Sequence, residues 1–148
     1  MAAKTSDVFS YLEHQHPRLH KNSKSLVNMT YLADWRSSLQ RGRQISDTLW
    51  CFLIGPTAFS EPETPSNISS SGALLGQDWP TLCEGDLAVL DAVISETRDL
   101  SPIEICQVSQ ETFPASTVGR LIPLDLPALA QEYIQNQSSF ADRSVIAV

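Results

Sequence analysis

Long apolar runs are missing from this 148-residue sequence: the longest, Leu49–Ile54, falls far short of the roughly 18 residues that a membrane-spanning helix needs. No membrane partner is therefore expected. Cysteine is scarce and unpatterned. Cys51, Cys83 and Cys106 are odd in number and never spaced as Cys-x-x-Cys, and no secretory signal pattern accompanies them. That argues against a disulfide framework or a zinc cluster and predicts reduced, buried thiols in a cytoplasmic protein. Glycine is equally sparse, with six residues and no phosphate-cradling loop, and there is no nucleophile elbow and no His-Glu-x-x-His pair. His14, His16 and His20 lie close together, but their spacing across Pro17 does not bring three imidazoles to one helical face, so a solvated loop cluster is expected rather than a metal site. Asp34 and Asp47 have neither the spacing nor the nearby histidine that acid-base work requires. The chain is read as non-enzymatic, without cofactor or metal.

Basic residues are also in short supply, ten Lys and Arg against seventeen Asp and Glu for a net charge of −7. The shortfall is uneven. Residues 1–50 hold seven bases against four acids, a balance of +3, while residues 51–148 hold three against thirteen, a balance of −10. A field of that sign repels phosphate backbones and attracts a basic protein, so nucleic-acid binding is not expected. Lys21, Lys24, Arg36, Arg41 and Arg43 are left as a local basic face around the second helix.

What is present is helical periodicity. A chain of this length buries about two-thirds of the surface its unfolded form exposes, enough for one core without staples. Thr5 or Ser6 can cap a first helix with Val8, Phe9, Tyr11 and Leu12 on its apolar side, ended by Pro17. Ser23 or Ser25 can cap an amphipathic second helix through Leu26, Val27, Met29, Tyr31, Leu32, Trp35 and Leu39, with Gly42 as its stop. Leu49–Ile54 reads as a short buried strand or helical turn closed by Gly55 and Pro56. Residues 57–79, rich in Pro, Ser, Asn and Gly, read as an exposed loop. A third helix is expected from Glu84 to Glu96. A fourth begins at Ser101, where an N-cap serine, a first-turn proline and a capping-box glutamate coincide in Ser101, Pro102 and Glu104, and Pro114 is expected to end it. Val118–Leu124, holding Gly119 and Pro123, is an edge strand or an extended connection pairing with Leu49–Ile54. Asp125 can cap a last helix that buries Leu129, Tyr133 and Ile134. The expected fold is mainly α: a single compact helical domain over residues 1–137 with a small two-stranded β element, and a frayed tail over 138–148.

The order of these features resembles the Panacea, or SocA-like, antitoxin domain family. The resemblance rests on Tyr31, Leu32, Ala33 and Asp34, similar to the run in which a helix of the family ends, then Gly42, Ile45, Ser46 and Asp47, then Trp50 and the pair Gly55 and Pro56. Asp99, Leu100 and Ser101 follow, and a helix ending in Val108, Ser109, Gln110 and Glu111 is similar to the family's Leu-Ser-His-Glu stretch. Asn28 stands where relatives usually carry lysine, Gln110 where they carry histidine and Thr57 where valine follows the Gly-Pro pair. The resemblance covers most of residues 5–137. It implies a bacterial or phage antitoxin that neutralises a cognate protein toxin by direct binding, the toxins of relatives including small alarmone synthetase-like enzymes. The alternative within the family is a proteolytic adaptor delivering the toxin to a cellular protease. Contact or motif residues implied are Tyr31, Asp34, Arg36, Arg43, Asp47, Trp50, Gly55 and Pro56. Within that set the residues expected at the surface are Asp34, Arg36, Arg43, Asp47 and Trp50, and Asp34 is expected to pair with Arg36, Arg41 or Arg43 or to cap backbone groups in the turn after its helix.

Overall fold

The computed structural model describes residues 3–16, 23–52, 55–58 and 79–143, and the side chains of Ser23, Ala58 and 137–143 are left aside. Among the described residues the chain forms α1 (Thr5–Gln15), α2 (Ser23–Arg41), β1 (Trp50–Phe52), β2 (Pro56–Ala58), α3 (Glu84–Thr97), α4 (Pro102–Gln110), α5 (Phe113–Thr117) and α6 (Leu126–Arg143). The fold is mainly helical with a two-stranded antiparallel sheet, as the periodicity predicts. No described helix is long and apolar enough to cross a membrane.

α2 is the axis of the fold and packs against α1, α3, α4 and α6. One of its faces, Leu26, Met29 and Ala33, enters a core with Val8, Phe9 and Leu12 of α1, Val89, Leu90, Val93 and Ile94 of α3, and Ile105 of α4. The other, Tyr31 and Trp35, enters a second core with Trp50, Phe52, Leu124, Leu126 and Ala130. The expected amphipathic helix is therefore a central one, buried on nearly all sides, including at Asn28, Thr30, Asp34, Ser37 and Ser38. Small hydroxyls make that tolerable by bonding back to backbone: Thr30 Oγ1 donates to the Leu26 carbonyl at 2.8 Å, Ser38 Oγ to that of Asp34 at 2.8 Å and Ser37 Oγ to that of Arg43 at 2.7 Å. Ser25 is buried inside the first turn of the helix rather than at its N-cap, since α2 already runs from Ser23. Gly42 ends α2 as expected, at φ 76°, its N–H bonded to the Ser38 carbonyl at 3.1 Å.

Several local expectations need correction. α1 starts after Lys4 rather than at a Thr5 or Ser6 cap, because the Thr5 hydroxyl is committed elsewhere, to Asp47 Oδ1 at 2.8 Å and Thr48 Oγ1 at 2.7 Å. Pro114 opens α5 instead of ending α4: the missing N–H of proline costs nothing in a first turn, and α4 stops earlier, at Gln110. The partner of β1 is β2, paired as Trp50 with Ala58, Cys51 with Thr57 and Phe52 with Pro56. Val118–Leu124 does lie along the opposite edge of β1, as an extended connection with two backbone bonds, Leu121 N–H to the Phe52 carbonyl and Leu124 N–H to the Trp50 carbonyl, each 2.8 Å. Pro123 cannot donate and Leu121 sits in the left-handed region at φ 57°, so no regular ladder forms. Of the 57–79 stretch, Thr57 and Ala58 belong to β2 and Trp79 packs edge-on to Tyr11 at 4.9 Å, while residues 59–78, like Leu53 and Ile54, lie outside the described residues. α6 is capped by Asp125, whose carboxylate accepts from Ala128 N–H at 3.2 Å, and continues to Arg143, past Asn136 where the apolar pattern weakens. Ile134 on it is exposed rather than inward. The Ser101–Glu104 capping box of α4 is present in both directions, at 3.2 and 2.8 Å.

Candidate functional site

Asp34, near the middle of α2, is wholly buried and is the hub of the motif region. Its Oδ1 accepts from the N–H groups of Ile45 (3.0 Å) and Ser46 (2.8 Å). Its Oδ2 accepts from Ser46 Oγ at 2.5 Å, Trp50 Nε1 at 2.8 Å and Gln44 Nε2 at 3.4 Å. Burial pushes the carboxyl up to about 6, against the hydrogen bonds from Ser46, Trp50 and Ile45 that favour the ionised form. Above that value the group is a carboxylate, acceptor-only at both oxygens and so matched to a shell made entirely of donors. Of the two arrangements expected for it, backbone capping holds and arginine pairing does not: Arg36 meets Glu96 at 2.6 Å and Arg41 meets Asp86 at 2.8 Å.

Burial also corrects the expected contact set. Asp34 and Trp50 are interior rather than at the surface, as are Tyr31 and Pro56. Arg43 and Asp47 are exposed, and Arg36 and Gly55 are half-buried. Tyr31 instead ties segments together, its ring edge-on to Trp50 and Phe52 at 5.6 and 5.2 Å and its hydroxyl 2.7 Å from Thr112 Oγ1. Burial raises the Tyr31 hydroxyl above its ordinary value, so it stays protonated.

A second meeting point joins Asn28, Gly55, Cys106 and Gln110. A side chain on Gly55 would lie 3.5 Å from Cys106 Sγ and 3.8 Å from Asn28 Oδ1, and Gln110 Nε2 lies 3.8 Å from the same sulfur. Asn28 Nδ2 donates to the Lys24 carbonyl at 2.9 Å, whereas its Oδ1 is buried with no hydrogen-bond partner. No periodicity joins residues 28, 55, 106 and 110. The signal available beforehand was that two of them are the motif's irregular positions.

An apolar groove of about 370 Å³ is floored by Leu32, Trp35 and Leu39 of α2 and walled by α3 and by Val108 of α4. A second groove, about 510 Å³, separates the end of α2 from α6. The cysteines are free, but only Cys51 is buried; Cys106 is half-buried and Cys83 is exposed at the start of α3, against expectation. His14 is exposed beside Trp79, His16 is buried and His20 lies outside the described residues. No group of His, Cys, Asp and Glu able to hold a metal ion occurs among the described residues. The basic face is already partly neutralised, since Arg36 and Arg41 are ion-paired; Lys21 lies outside the described residues. No family model matches the chain, and no curated protein and no solved structure matches it.

Proposed function

We propose that this chain is an antitoxin of the Panacea, or SocA-like, kind, a non-enzymatic protein that neutralises a cognate toxin by direct protein-protein contact. The observation that carries the reading is the convergence of the motif segments. Asp34 gathers Ile45, Ser46 and Trp50, and Tyr31 joins Trp50, Phe52 and Thr112, so blocks far apart in sequence make one buried hub. Residues that carry a family resemblance in this way hold a scaffold, and the partner meets the surface around it. The acidic balance of residues 51–148 supports a basic partner, since a carboxylate-rich surface speeds encounter with the cationic substrate channel of a nucleotide- or RNA-using enzyme. A small alarmone synthetase-like toxin has that chemistry.

The test is growth. Cells expressing the protein encoded beside this chain should stop growing, and co-expression of this chain should restore growth and yield a stoichiometric complex. Absence of toxicity, or rescue without a complex, contradicts the reading.

A further inference from the structure

The groove between α2, α3 and α4 is poor in polar groups that could orient a small ligand, Arg36 Nε being the one buried lining donor or acceptor without a hydrogen-bond partner among the described residues. Thr97 Oγ1 donates to the Val93 carbonyl at 2.7 Å, and Thr112 Oγ1 donates to the Ser109 carbonyl at 2.8 Å while bonding Tyr31. The Arg36 guanidinium on the rim is taken by Glu96. What remains is aliphatic and aromatic: Leu32, Trp35, Leu39, Val93, Leu100 and Val108. Small-molecule sites combine such walls with a few convergent polar groups; an apolar helix face needs only the walls.

The rim supplies the sign of the partner. Val108 lines the groove, and Glu104 and Glu111, four residues before it and three after, fall on the same face of α4 or its continuation, both exposed. Glu96 closes the opposite side from α3 but is paired with Arg36, so the acidic balance of the rim comes from Glu104 and Glu111. From Glu96 to Glu111 the chain carries Glu96, Asp99, Glu104 and Glu111 against one base, Arg98. α4 is otherwise a thinly anchored helix, with Ile105 and Ser109 buried and Ile103 left 72 % exposed.

We propose that this groove is a docking site for a cationic amphipathic helix of a protein partner, with apolar side chains at helical spacing filling it and lysine or arginine on the flanks meeting Glu104 and Glu111. The proposal rests on the reading of the chain as a protein-binding module and names the surface that binds.

The probe is an 18-residue amphipathic leucine-lysine helix, titrated into the full-length isotope-labelled protein and followed by amide chemical shifts, with a leucine-glutamate helix of the same pattern as control. Shifts centred on Leu32, Trp35, Leu39, Leu100 and Val108, seen with the lysine peptide alone, are expected. Replacing Glu104 and Glu111 together by glutamine preserves the Ser101 cap and the pair of Arg36 with Glu96, and should weaken binding about tenfold or more while flattening its salt dependence. Val108→Asn should weaken it without changing that salt slope. Shifts centred elsewhere, equal binding of the glutamate peptide, or unchanged affinity in the glutamine variant overturns the proposal. Growth rescue is read separately, so the groove can fail while neutralisation stands, and the reverse.

Discussion

Asp34 shows what one buried carboxylate can organise. Five donors point at two oxygens, and asparagine offers one oxygen and an N–H2 group that would face the Trp50 indole N–H, which can only donate. Asp34→Asn should cost about 2–4 kcal/mol in urea unfolding, with loss of the Trp50 environment in fluorescence. The Asp34 carboxyl carbon should titrate in NMR with a midpoint near 6. The sign of the linkage follows. Because the folded value is raised, the folded state holds a proton between about pH 4 and 6 that the unfolded chain has lost, so this group's contribution is greatest below pH 4 and declines by roughly 3 kcal/mol as pH rises through 6. Asp86 behaves oppositely. Burial would raise it, but the Cys83 N–H and the Arg41 guanidinium, at 3.1 and 2.8 Å, together hold it below the usual carboxylate range. Its contribution is present above about pH 4 and is lost as the solution is acidified. Asp86→Asn should therefore cost about 1–3 kcal/mol at pH 7 and progressively less toward acid, measured as the difference in unfolding free energy from the parent.

Elements were legible where punctuation is local. The Ser101-Pro102-Glu104 start, the Gly42 stop and the Asp125 cap each depend on one turn of chain, and each stands where the residues predict it. Gly42 adopts φ 76° with open space around it, so Gly42→Ala meets no clash and should cost about 1 kcal/mol through backbone strain alone, read as a shift in urea midpoint. Ser101→Ala should cost a similar ~1 kcal/mol and appear first as faster amide exchange in α4. Elements were illegible where a tertiary partner decides. Thr5 looks like a cap but is drawn off by Asp47 and Thr48; Pro114 looks like a terminator but starts a helix. β1 takes the expected Val118–Leu124 segment on one edge, through the Trp50–Leu124 bridge, and β2 on the other, and this second pairing is one that strand composition does not reveal.

At the scale of the molecule, the mainly helical class follows from periodicity, but the depth of α2 does not. Its serines, Thr30 and Asn28 suggest a polar face, and bonds from Thr30, Ser38 and Asn28 to backbone carbonyls, with the second core beyond Tyr31 and Trp35, make that face interior. The same blindness affected the site: a motif names residues without saying which are buried, and half of the named set, Tyr31, Asp34, Trp50 and Pro56, holds the scaffold. The surface left for a partner is acidic and partly apolar, with Ile103, Leu121, Ile122 and Val108 exposed. Because a single helix, α2, carries both cores, the chain should unfold cooperatively, with fluorescence and circular dichroism transitions coincident in urea.

The measurement that bears most directly on the antitoxin reading is the amount of the neighbouring gene's product in cells that also express this chain, taken together with co-purification. Restored growth with the partner at full level and held in a complex with this chain is the predicted result. Restored growth with the partner degraded, or full growth with the partner free and active, would contradict neutralisation by direct binding.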